Sequence, residues 1–129
     1  MEAGRELDAL VAKKVFGWAI RRESWYDQEG LETTVLYDSH DNQLGYAHGF
    51  DEMPEELPEY STNIAAAWQV FDRPEHEAWS IYRWDSAMLE AGCQWEIEDA
   101  DGNTLASAPT APLAICLAAL SAVGAEVPV

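Results

Sequence analysis

Basic residues are scarce in this chain: 7 lysines and arginines stand against 24 aspartates and glutamates in 129 residues, a formal net charge of −17. Nucleic acids and anionic membranes are held by lysine and arginine displacing counterions, so direct binding to either is excluded as the main activity. Long hydrophobic runs are missing too. No stretch reaches the ~18 to 20 uninterrupted apolar residues of a membrane span, and the N-terminal "MEAGRELDALVAKK" is charged where a signal peptide has an apolar core. The expectation is a cytoplasmic protein. Only two cysteines occur, Cys93 and Cys116, in apolar surroundings and with no further thiol or imidazole at ligand spacing. Buried thiols are the simple reading, and a disulfide depends on geometry that spacing alone does not supply. The length fits one domain over residues 1–129 with its own core.

Catalytic signatures are equally absent. There is no glycine-flanked nucleophile elbow, no glycine-rich phosphate loop and no carboxylate pair with a reason to be desolvated, so the chain reads as a non-enzyme without cofactor. His40, Asp41, His48 and Asp51 flank a candidate hairpin but match no metal-ligand spacing, and solvated turn residues are expected there. "DADGN" at residues 99–103 places acids at alternate positions as a calcium loop does. Its glycine comes two residues early and no glutamate closes a twelve-residue loop, so a β-turn is expected.

What the sequence does contain is an alternation of helical and extended patterns. Residues 2–16 set Ala3, Leu7, Leu10, Val11 and Val15 on one helical face, with acids in the first turn and Lys13 and Lys14 near the end. "GWAIRRESWY" after it reads as irregular or extended. "ETTVLYD" and "QLGYAHGF" pair as a hairpin across "SHDN". In "YSTNIAAAWQVF", Ser61 or Thr62 can cap a helix in which Ile64, Trp68 and Phe71 form the inward stripe. "AWSIYRW" and "CQWEIED" read as strands, the second with Cys93, Trp95 and Ile97 inward, and Asp101-Gly102 marks a hairpin turn.

The last stretch, "TAPLAICLAALSAVG", repeats the plan of the middle helix. Thr110 can cap it, Pro112 suits its first turn, and Ser121 is its one polar residue from Leu113 to Val123. A helix apolar all round needs cover on several sides. The two alanine-rich helices are expected to cover a small antiparallel sheet in an α+β domain, and any part of the last helix left bare would call for a second copy, a homodimer.

Three of these stretches carry a family resemblance. "MEAGRELDALVA" followed by Gly17-Trp18, the "YST" before the middle helix, and "TAPLAICLAAL" at the end resemble, in that order, the phage ABA sandwich domain proteins. The resemblance implies an α/β/α sandwich, a bacteriophage or prophage origin and no established activity. It carries no catalytic or binding positions, and the region from Glu23 to Met53 lies outside the shared motifs.

The functional expectation rests on charge and size. A small acidic phage accessory protein suits the occupation of a host protein's basic or nucleic-acid-binding surface, as a DNA mimic would in an anti-defence role. Asp51, Glu52, Glu55, Glu56 and Glu59, in a stretch with two prolines and no base, are the candidate patch. The alternative is a small-molecule or nucleotide-signal binder that sequesters its ligand. It would use Trp18 and Trp25, which have no assigned packing role, together with Arg21 and Arg22; Arg73 and Arg83 are further basic candidates, and Trp84 a further unassigned aromatic. Trp68, Trp79 and Trp95 are expected to pack inward.

Overall fold

The computed structural model describes residues 3–24, 32–48, 53–85 and 93–125, and only the backbone of Ser24, Glu32, Trp84, Asp85 and Cys93. Three helices and two antiparallel sheets of three strands are arranged along the chain as α1 (Arg5–Lys14), β1 (Ala19–Ser24), β2 (Glu32–Tyr37), β3 (Gln43–His48), α2 (Ile64–Phe71), a 3-10 turn (Pro74–His76), β4 (Ser80–Asp85), β5 (Cys93–Glu98), β6 (Thr104–Ala108) and α3 (Ala111–Ala122). The α+β class and the antiparallel pairing are as the sequence implies. The strands divide into two sheets, β1-β2-β3 and β4-β5-β6, where one was expected. The added strand is β1, where the consecutive charges Arg21, Arg22 and Glu23 fall on both faces and so conceal the alternation of a half-buried strand.

The two sheets are built alike. Each residue of β1 and β2 has a counterpart 61 positions later: Ala19 pairs with Tyr37 as Ser80 pairs with Glu98, and Ile20 with Leu36 as Ile81 with Ile97. β3 and β6 keep the same offset, with Leu36 opposite Gly45 and Ile97 opposite Ala106, and both ladders shift register just before the turn. The turns also agree. Asp38 Oδ1 accepts from the amides of His40 and Asn42 (2.8 and 2.9 Å), and Asp99 Oδ1 from those of Asp101 and Asn103 (2.9 and 3.0 Å). These bonds, the Asn42 and Asn103 amides first, hold both carboxyls below their ordinary range. Asp41 and Gly102, at equivalent places, both take positive φ (63° and 81°), which a tight hairpin needs and which Asp and Gly tolerate. "DADGN" is thus a β-turn.

The connection from sheet to helix is not repeated. Pro109 alone separates β6 from Thr110, the cap of α3, whereas residues 49–62 separate β3 from the cap of α2. That cap is Asn63, whose side chain accepts from the amides of Ala65 and Ala66 (2.9 and 3.2 Å); neither Ser61 nor Thr62 serves, and the Ser61 hydroxyl is engaged elsewhere. The face of α2 is also not the one its bulky residues suggest. Ala67 and Val70 are buried, while Ile64 and Trp68 are 45% and 39% exposed, because α2 lies against the alanine-rich α3 and small side chains allow that approach. Trp68 instead sits edge-on to Phe71, with ring centroids 4.9 Å apart. Trp79 and Trp95 are half-buried against the core.

At the centre, α3 packs against α1, α2, β5 and β6. Eight of its residues from Ala111 to Leu120 are buried, and Leu113 and Leu117 are half-buried against the core. At the end of this apolar stretch, Ala122 and Val123 are exposed. Leu7 and Val11 of α1, Leu36, Leu57, Tyr60, Val70 and Ile97 complete the core with Ile115 and Leu120. Cys116 is a buried free thiol, pushed up to about 12 by burial and then by the charge of Asp8. Cys93's side chain lies outside the described residues, and no helix among those described is long and apolar enough to cross a membrane.

Candidate functional site

The segment between β3 and α2 is more than a solvated linker. Pro54 and Leu57 are buried, Met53 and Pro58 half-buried, and Tyr60 stacks on Phe16 with centroids 5.2 Å apart. Arg5 of α1 fixes the backbone, its Nη2 donating to the carbonyls of Pro54 (2.9 Å) and Leu57 (2.8 Å). The other nitrogen, Nη1, donates to Asp8 Oδ2 at 3.0 Å.

Asp8 is the pivot of this attachment. It is only 1% exposed, and its Oδ1 accepts from both the amide (2.8 Å) and the hydroxyl (2.6 Å) of Ser61. Ser61 Oγ in turn accepts from the amide of Gly4 at 2.9 Å, an orphan donor at the start of α1. A buried carboxylate is tolerable only when paired and hydrogen-bonded, and Asp8 is both. The sequence suggested only a first-turn acid suiting the helix dipole. The missed signal is that Asp8 directly follows Leu7 and so borders the buried stripe of α1.

On this anchored segment Glu55, Glu56 and Glu59 are exposed. The Glu56 side chain crosses β3 where a Cβ on Gly45 would stand, so glycine at that position makes room for the crossing. Ala106, its counterpart in the second sheet, has no such segment to accommodate. Asp51 and Glu52, the remaining members of the expected patch, lie outside the described residues, as does Trp25.

Of the alternative set, Trp18, Arg21 and Arg22 are described, and the two arginines do not share a face. Adjacent strand residues point to opposite faces, so Arg21 and Arg22 separate. Arg21 pairs with Asp41 at 3.1 Å, with its guanidinium carbon 4.6 Å from the centre of the Tyr37 ring. Arg22 borders a cavity of about 410 Å³ together with Ala9, Lys13, Ile20, Thr34 and Met53. Trp18 is half-buried, 5.7 Å from Phe16 between centroids. Lys13 has no marking in the sequence as a binding residue; only the packing of α1 on β1 brings it near Arg22.

A second cavity, of about 460 Å³, is lined by Phe71, Asp72, Arg73, Pro74, His76 and Glu77. Arg73 pairs there with Glu75 and lies 4.7 Å from the centre of the Phe16 ring. His76 is buried against Trp79, centroids 3.7 Å apart, and its Nδ1 is 2.7 Å from the carbonyl of Val70. A carbonyl only accepts, so Nδ1 carries the hydrogen. Burial holds this imidazole below its ordinary range, against the opposing effect of the Val70 hydrogen bond. His40 lies in the turn before β3 and His48 at the far end of that strand, and among the described residues no three acids, histidines or cysteines come together as a metal site.

No curated protein matches the chain. Among solved structures it is similar to a phage protein from Bacillus cereus ATCC 14579, determined at 2.0 Å, with 27% identity, a TM-score of 0.54, and coverage of 94% of this chain and 91% of that one. The model of the phage ABA sandwich domain matches residues 9–120, from within α1 to the last turn of α3, and the chain belongs to that family.

Proposed function

We propose that this phage-family protein is a non-enzymatic binder that occupies a basic, nucleic-acid-binding surface of a host protein in the host cytoplasm, in the manner of a DNA mimic with an anti-defence role. One observation carries the reading. The segment with the densest negative charge is fastened to the fold through Arg5, Asp8 and Ser61, so that Glu55, Glu56 and Glu59 stand exposed on a fixed backbone. Carboxylates on a preformed surface bind without the ordering cost that a loose acidic tail incurs. The overall charge of −17 adds long-range attraction for a basic partner.

The test is capture of host proteins on the immobilised chain, with elution by duplex DNA. The reading expects a nucleic-acid-binding protein that DNA displaces and that a Glu55→Lys, Glu56→Lys, Glu59→Lys variant retains poorly. Capture indifferent to both DNA and charge reversal contradicts it.

A further inference from the structure

Helix α2 ends in a way that its own side chains do not complete. The C-terminal end of a helix carries partial negative charge and is ordinarily steadied by a lysine, arginine or histidine. The last turn of α2 has no basic residue, and its capping position holds a carboxylate, Asp72. Arg73 comes next, but its guanidinium is engaged elsewhere. Its Nε and Nη2 donate to Glu75 Oε1 (2.9 and 2.6 Å), and its carbon lies 4.7 Å from the centre of the Phe16 ring. Asp72 and Glu77 are exposed and make no side-chain hydrogen bond or ion pair among the described residues. Both line the cavity of about 460 Å³ at this end of α2, a volume within the usual range for small-ligand sites.

The same cavity receives a buried imidazole with one nitrogen unused. His76 is 3% exposed, with its ring flat on Trp79 and its Nδ1 engaged by the carbonyl of Val70. Nε2 has no hydrogen-bond partner among the described residues. No fully buried side-chain nitrogen or oxygen among them goes unpaired, so Nε2 reaches open space, and the space its ring borders is this cavity. With the hydrogen on Nδ1 and the ring kept neutral by burial, Nε2 is an acceptor.

An acceptor beside two unpaired carboxylates, at the negative end of a helix, suits a cation rich in N–H donors. A guanidinium meets this demand better than an ammonium. Its N–H groups lie in one plane and can serve carboxylates and an imidazole together, and its face suits the Phe71 ring of the same lining. The chain already holds one guanidinium in this manner, Arg73 on Glu75 and the Phe16 ring.

We infer that the cavity at the C-terminal end of α2 binds a guanidinium group, with Asp72 and Glu77 accepting from its N–H edges and His76 Nε2 accepting a further hydrogen bond. The inference does not depend on the host-protein reading of Glu55, Glu56 and Glu59.

NMR titration of the full chain with Nα-acetyl-arginine amide tests it, with the matching lysine amide as a cation of another shape and the citrulline amide as the uncharged isostere. The arginine compound is expected to bind with a Kd below about 5 mM, and each counterpart about fivefold more weakly or worse. The His76 Nε2 resonance is expected to shift on binding while those of His40 and His48 stay in place. An Asp72→Asn, Glu77→Gln double variant, altered only at exposed positions, is expected to bind about tenfold more weakly. Free arginine in a parallel titration separates the two sources of the group: tighter binding of the blocked compound points to a side chain within a polypeptide, tighter binding of the free amino acid to a metabolite. A Kd above about 5 mM, a counterpart within about fivefold of the arginine compound, or a double variant that binds like the native chain overturns the inference.

Discussion

Asp8 ties distant parts of the chain together through a single buried side chain. Its carboxylate joins α1 to the segment before α2 through Ser61 and also pairs with Arg5, which is about one third exposed. Asp8→Ala leaves the Ser61 donors and Arg5 without their acceptor, and a loss of about 3 kcal/mol or more is expected in urea unfolding. Ser61→Ala removes the hydroxyl but keeps the amide bond, so about 1 to 2 kcal/mol is expected. A larger effect for Ser61 than for Asp8 would contradict this assignment.

His76 gives a second test at the same scale. Its folded pKa is depressed, so the folded state favours the neutral ring while the unfolded chain takes up a proton below about 6.5. Its contribution to stability is complete above that pH and is lost as pH falls below it toward the folded value. Melting temperature is therefore expected to decline from pH 7 to pH 5, and His76→Asn, whose amide can still donate to Val70, is expected to flatten that decline. The depressed Asp38, Asp99 and Glu75 carboxyls act at lower pH, so a slope unchanged in His76→Asn would contradict the assignment.

At the scale of elements, the two capped helices allow a direct comparison. Asn63 accepts two short hydrogen bonds at the start of α2, and Thr110 accepts one of 3.4 Å from Leu113 at the start of α3. Asn63→Ala is expected to cost about 1 kcal/mol and Thr110→Ala less, as read from unfolding midpoints. The order of the helices, the hairpins and both turns was legible in the sequence because each rests on local patterning and turn chemistry. The inward face of α2 was not, because Ile64 and Trp68 satisfy helical periodicity as well as Ala67 and Val70 do. The choice falls to α3, whose alanines admit a small-residue face more closely than a bulky one. The charges of β1 leave its stretch undecided between irregular and extended, although Trp18, Ile20 and Arg22 recur as Trp79, Ile81 and Arg83 at the 61-residue offset. The acidic stretch was visible as composition, but its attachment depends on Arg5 and Asp8, some fifty residues earlier.

At the scale of the whole molecule, the segment between β3 and α2, which has no counterpart after β6, gives Leu57 and Tyr60 to the common core and bears Glu55, Glu56 and Glu59 on its exposed side. Because these three side chains are exposed, charge reversal at Glu55, Glu56 and Glu59 is expected to leave the melting temperature nearly unchanged. The most direct test of the binding surface is the affinity of the DNA-displaced host partner measured against salt, for the native chain and for this triple variant. The account predicts a fall of about tenfold or more for the native chain between 0.05 and 0.5 M salt, and a clearly shallower fall for the variant. Equal salt dependence in the two proteins, or affinity undiminished at high salt, would contradict it.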